Sequence, residues 1–247
     1  MTRSKRNVTL LLAAALLLFA PRYAFGMHIA EGILPGGWAA LWYVVAAPFV
    51  LWGLHQIKKR SREDPKYKAF VALVGAAVFI ISCMPIPVPT AGTCSHPTGV
   101  GLAAILIGPG PAIVVSAIAL SLQALFLAHG GLTTLGANVV SMGVTGALLG
   151  YAAWRLCRGA GLPAFAAAFA AGLIADWATY ATTSVELATA LHGDGPMLTM
   201  LAMIVVAFVP TQLPLGIFEG FLSAGAWRFV HARRPDLLRE KTDPTPA

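Results

Sequence analysis

Gly108-Pro109-Gly110-Pro111 interrupts an apolar run from Thr98 to Ala128, and the reading of that run decides how often the chain crosses a bilayer. Proline lacks an N–H and clashes with the preceding helical turn, so this tetrapeptide favours two helices hinged here over one continuous helix. Further apolar segments run from Trp38 to Leu54, Ala69 to Cys83, Leu132 to Trp154, Pro163 to Leu191 and Met197 to Val230. Only 11% of the residues are charged and 57% are hydrophobic. A soluble domain carries about twice that charge. The fold class expected is therefore all-α, a polytopic membrane bundle embedded in lipid. No polar stretch is long enough for a second domain.

The basic residues arbitrate between six and seven spans. Beyond residue 26 they fall in three groups: Lys58, Lys59, Arg60, Arg62, Lys66 and Lys68; Arg155 and Arg158; and Arg228, Arg233, Arg234, Arg239 and Lys241. With the mature N-terminus outside, seven spans put every group on the cytoplasmic side, whereas six leave the last two outside. The expectation is seven transmembrane helices in a bacterial inner membrane with a cytoplasmic C-terminus. The net charge of +7 encodes this orientation and gives no reason to expect nucleic-acid binding.

Seven spans force a local consequence. Thr98 to Ile107 is about ten residues, roughly 15 Å of helix, or half a bilayer core. The preceding Met84–Pro97 stretch is too proline-rich for a helix. It must dip into the protein as irregular chain, which survives at that depth only when buried or lining a cavity. Such broken helices often mark binding sites, and His96 sits at this break.

The first residues read as a removable leader. Arg3, Lys5 and Arg6 are basic, an apolar run follows from Val8 to Ala20, Pro21 breaks it, and Ala24-Phe25-Gly26 supplies small residues for cleavage. This divides the chain into a signal peptide (1–26), a membrane domain (27–234) and a cytoplasmic tail (235–247). Cleavage would expose Met27-His28. A free amine, the amide nitrogen of His28 and its imidazole Nδ1 can close five- and six-membered rings on one cation. The alternative is that Met27-His28 is merely where the mature chain starts.

On this topology His28, His96, His129 and His192 lie towards the outer side, and neutral imidazoles are common ligands of late first-row metals. The break favours His96 as a ligand, against an ordinary loop histidine. For His129, in Ala128-His129-Gly130-Gly131, a turn-stabilising role or one supporting the ligands is expected rather than direct ligation. His192, in His192-Gly193-Asp194-Gly195, reads as a solvated loop. Asp176, Glu186 and Glu219 are acids inside apolar segments, where charge is costly. Asp176 and Glu186 could guide a cation or bond to hydroxyls such as Thr179 and Ser184; Glu219 could meet a partner subunit. The cysteines (Cys83, Cys94, Cys157) form no CxxC pair, and Cys83–Cys94 proximity would not require a disulfide. No Walker, GxGxxG or GxSxG motif is present, so uphill transport would need ATP handled by another chain.

Met27-His28-Ile29-Ala30-Glu31-Gly32-Ile33-Leu34-Pro35 resembles the start of the CbiM family, the substrate-binding S components of cobalt-uptake energy-coupling factor transporters. So do Ser95-His96-Pro97-Thr98-Gly99, Leu106-Ile107-Gly108-Pro109 and the run from Ala128 to Asn138. The resemblance implies seven helices and a metal held by the Met27 amine, the amide and imidazole of His28, and His96. His129, Asn138 and Cys94 would then stand around these ligands. It further implies a transmembrane coupling subunit, ATPase subunits and a small auxiliary membrane subunit, with no catalysis by this chain. Co²⁺ is the expected substrate ion, supplying cobalamin synthesis. Nickel relatives share the Met-His start, and an all-nitrogen site suits Ni²⁺ equally. An intramembrane metalloenzyme would need an open coordination position and a general base; no HExxH is present, and only Glu31 lies near His28.

Overall fold

The computed structural model describes residues 28–84, 86–88 and 93–238. The signal peptide expected over 1–26, Met27 and the last nine residues of the tail lie outside the described residues. Among the described residues, seven helices of eight residues or more follow one another: α1 (Gly36–Glu63), α2 (Lys66–Ser82), α3 (Val100–Ile107), α4 (Pro109–Phe126), α5 (Leu135–Gly159), α6 (Ala164–Leu191) and α7 (Met197–Arg233). Five of them, α1, α4, α5, α6 and α7, are long and apolar enough to cross a membrane. Helix α2, at 17 residues, spans about 26 Å. Helix α3 has only eight residues, and the chain breaks at Gly108, whose φ of 90° suits glycine. The hinge thus falls at the Gly-Pro-Gly-Pro tetrapeptide, and Pro109 opens α4 where a missing N–H costs nothing.

The stretch before α3 is more ordered than the sequence suggests. Ile86–Val88 pairs antiparallel with Thr93–Ser95, with Pro87 opposite Cys94. This small ribbon is the exception to the expected irregular chain, and the bundle remains helical around it. Local β pairing satisfies backbone groups that the prolines prevent from forming a helix.

Polar capping fixes the ends of the half-helix. At its C-terminus Arg60 Nη1 and the Tyr67 hydroxyl both donate to the Ile107 carbonyl, at 3.0 and 2.9 Å. Small residues bring the backbones together: a Cβ on Gly101 would lie 2.6 Å from the Ala171 carbonyl oxygen of α6. Within α5, Val139–Gly146 is a π-helical stretch that nothing in the sequence announced. Thr145 Oγ1 donates there to Ser141 O and Val140 O.

Alternation of the helices gathers the loops into two ends. The basic end holds the α1–α2 junction, Ile107, and the ends of α5 and α7, where Trp154 and Trp227 meet with ring centroids 5.5 Å apart. The opposite end holds the start of the described chain, the C-termini of α2 and α4, and the loop into α5.

Candidate metal centre

Three segments distant in sequence deliver one imidazole each. His28 comes from the strand of chain before α1, His96 from the loop before α3, and His129 from the turn after α4. Their ring centroids are 4.7 Å (His28–His96), 4.9 Å (His28–His129) and 5.0 Å (His96–His129) apart. One nitrogen from each lies within 4.8 Å of the others. Nitrogens on one ion with bonds of about 2.1 Å stand about 3.0 Å apart when cis and about 4.2 Å when trans, so the rings would draw inwards to close on one cation. His96 has no exposed surface and His28 only 4%.

Neighbouring groups choose the nitrogens. The Ser82 hydroxyl donates to the Val78 carbonyl at 2.7 Å, so its oxygen accepts from Gln123 Nε2 at 2.6 Å. That turns Gln123 Oε1 towards His28 Nε2, 3.1 Å away. An amide oxygen only accepts, so His28 carries its proton on Nε2 and keeps the Nδ1 lone pair, the nitrogen a terminal chelate needs. His96 is the mirror case. Its Nδ1–H donates to the Pro97 carbonyl at 2.9 Å, leaving Nε2 buried without a hydrogen-bond partner among the described residues.

The environment keeps these rings neutral. Burial, then the nearness of His96 and His129, holds His28 well below the ordinary imidazole range. Burial first, then His129, pushes His96 down to about 3, and burial also lowers His129. Neutral imidazoles are the ligating form.

A strap holds the start of the described chain, after His28, over this cluster. Ile29 N–H donates to Asn138 Oδ1 at 2.8 Å, and Asn138 Nδ2 donates back to Ile29 O at 3.1 Å. The Thr134 hydroxyl also donates to Ile29 O, and Glu31 accepts from Thr133 N–H at 3.1 Å. The Tyr43 hydroxyl bonds the Leu132 carbonyl. Gly131 is required by proximity, since a Cβ there would sit 2.5 Å from the Glu31 Cα. Asn138 therefore grips the backbone directly after His28, and His129 stands in the cluster itself.

Other residues singled out in the sequence lie elsewhere. His192 Nδ1 bonds the Gly195 carbonyl in its own turn. Residue 94 belongs to the ribbon, but its side chain lies outside the described residues; Cys83 is a free thiol beside Gln123. The Thr179 and Ser184 hydroxyls bond backbone carbonyls of their own helix, not Asp176 or Glu186. The oxygens of Glu186 have no hydrogen-bond partner among the described residues. Glu219 is fully buried, so it offers no surface to a partner subunit. Gln123 was not anticipated; its only signal is a large amide in an otherwise apolar helix.

The bundle and its cluster of three histidines, two buried and one half-buried, define a membrane protein of the metal-transporter class. The family described as "Cobalt uptake substrate-specific transmembrane region" (CbiM) matches residues 28–237. This chain belongs to the CbiM family. It is 58% identical over 212 residues to the "Cobalt transport protein CbiM" of Sorangium cellulosum, covering 86% of this chain and 94% of that one. It is 57% identical over 224 residues to the protein of the same name from Geobacter sulfurreducens, covering 91% of this chain and 64% of that longer one. A solved "Truncated Transition metal Transporter" superposes with a TM-score of 0.74 at 25% identity, over 83% of this chain and 99% of that one. The chain is thus a transporter component and not an enzyme.

Proposed function

We propose that this chain captures Co²⁺ at the outer face of the cytoplasmic membrane, as the substrate-binding subunit of an energy-coupling factor uptake system supplying cobalamin synthesis. The observation that carries this reading is the convergence of His28, His96 and His129, with His28 held by its Nε2 so that Nδ1 is available. Removal of residues 1–26 frees the Met27 amine; that amine, the His28 amide and Nδ1, and His96 Nε2 are the ligands. His129 stands close enough to add a further nitrogen or to orient the others. Residues 27–234 form the binding domain, with residues 235–247 a cytoplasmic tail. The basic end faces the cytoplasm, where a coupling subunit and ATPase subunits would engage, and a small auxiliary membrane subunit completes the transporter.

Ni²⁺ is the competing cargo, because a nitrogen-only donor set fits it equally. Parallel Co²⁺ and Ni²⁺ titrations of the purified mature chain, with N-terminal sequencing, test both readings. Tighter uptake of nickel in cells carrying the whole transporter would replace cobalt. Inserting one residue between Met27 and His28 keeps every side chain but enlarges the chelate ring, and should abolish tight binding. Full affinity in that variant, or in protein still carrying residues 1–26, would place the metal elsewhere.

A further inference from the structure

The loop carrying His96 is held by a group outside the histidine cluster. Thr98 and Gly99 deliver three hydrogen bonds to the Glu219 carboxylate of α7. Thr98 N–H donates to Oε2 at 2.6 Å, the Thr98 hydroxyl to Oε1 at 2.5 Å, and Gly99 N–H to Oε1 at 2.9 Å. Both Glu219 and Thr98 have no exposed surface. No cationic side chain pairs with Glu219; among the described residues the one ion pair is Arg234–Asp236. A carboxylate in an apolar bundle is costly unless something offsets it. Here the entry to α3 does so, because Glu219 accepts from the N–H of its N-cap Gly99 and of Thr98 just before it, at the positive end of the helix. With Arg60 on the last carbonyl of the same helix, the half-helix carries an acid at its positive end and a guanidinium at its negative end.

This answers an electrostatic difficulty of the site. The bare N-terminus of α3, three residues past His96, would oppose a dication. Glu219, with Asp176 beside it, sets an acid group on that end and offsets its positive potential. The same three bonds fix the backbone at Thr98-Gly99. His96 is tied to that backbone through its Nδ1 bond to Pro97 O, and on its other side Gln212 donates to the Ser95 hydroxyl. The direction of His96 Nε2 is therefore set from α7.

We propose that Glu219 is a positioning residue of the metal centre, acting on His96 through Thr98, Gly99 and the α3 terminus without touching the ion. The inference rests on His96 being a ligand. It is tested by titrating Co²⁺ into the full mature chain and its E219Q, T98V and H28A variants. Affinity, the visible d–d spectrum of bound Co²⁺, and melting temperatures with and without metal are read. E219Q keeps the shape, removes the charge and turns one acceptor into a donor; it should weaken binding about tenfold or more. Its d–d spectrum should change, and the metal-induced rise in melting temperature should shrink more than the metal-free value falls. T98V deletes one bond and keeps the charge, so about a threefold weakening is expected, and it serves if E219Q does not fold. Wild-type affinity and spectrum in T98V together with either wild-type binding or mere instability in E219Q would overturn the proposal, provided H28A fails to bind. Wild-type binding by H28A as well would instead overturn the metal-centre reading itself.

Discussion

His28 Nε2–H donates to Gln123 Oε1 at 3.1 Å, and this bond decides which nitrogen of His28 faces the cluster. Without the amide oxygen, the ring loses the partner that selects the Nδ1 lone pair. Q123L should lower Co²⁺ affinity about 10- to 100-fold, the usual cost of losing a group that orients a ligating histidine. Q123E retains an acceptor and should bind far better than Q123L. Nitrogen NMR of labelled histidine reads the tautomer directly. A single Nδ1-unprotonated signal for His28 in Q123L would contradict the assignment.

Asn138 grips Ile29 by both its amide groups, and the two contacts can be separated. N138D keeps the oxygen that accepts from Ile29 N–H but loses the donor to Ile29 O. N138A loses both. Metal affinity should fall in the order wild type, N138D, N138A, with each lost bond worth about 1 kcal/mol, or roughly fivefold. Isothermal titration with Co²⁺ measures the order; equal affinity in all three would show that the strap does not hold His28.

Gly131 packs so closely on the strap that any side chain must displace it. A Cβ would lie 2.5 Å from the Glu31 Cα and 2.6 Å from its amide nitrogen, both backbone atoms that cannot swing aside. G131A should therefore cost about 1–3 kcal/mol, as overpacking does elsewhere, and the loss should appear chiefly in metal affinity. Hydrogen exchange of the amides from Ile29 to Gly32 should rise. A variant with unchanged exchange and affinity would mean that the turn relaxes without moving the strap.

The neutral histidines also predict how stability follows pH. In the unfolded chain they titrate near 6.5, whereas burial holds His96 down to about 3 in the native protein. Between those values the unfolded state binds more protons, so native stability is full above about pH 6.5 and is lost as pH falls towards the folded value. Metal-free protein in detergent should melt at progressively lower temperature from about pH 6.5 to pH 4. H96Q should show a shallower decline over the same range. An equal slope in H96Q would show that other groups carry the acid sensitivity.

Hydropathy alone fixed the membrane class, and the Gly-Pro-Gly-Pro tetrapeptide fixed the break between α3 and α4. These are local effects: apolar length sets a span, and two prolines with two glycines cannot continue a helix. Met27-His28 and His96 were legible as candidates because each stands at a chain start or a helix break. Proximity was not legible. His28, His96 and His129 lie far apart in sequence, and only the packing of α2, α4 and α5 brings their rings within 5.0 Å of one another. Gln123 is one amide in an apolar helix until Ser82, from another helix, orients it towards His28. Glu219 reads as a stray membrane acid until α3 places its N-terminus upon it, 121 residues away at Thr98. Residue type determined what each group could do, and long-range packing in a medium without water decided which groups met, because a buried polar atom there must find its partner within the protein.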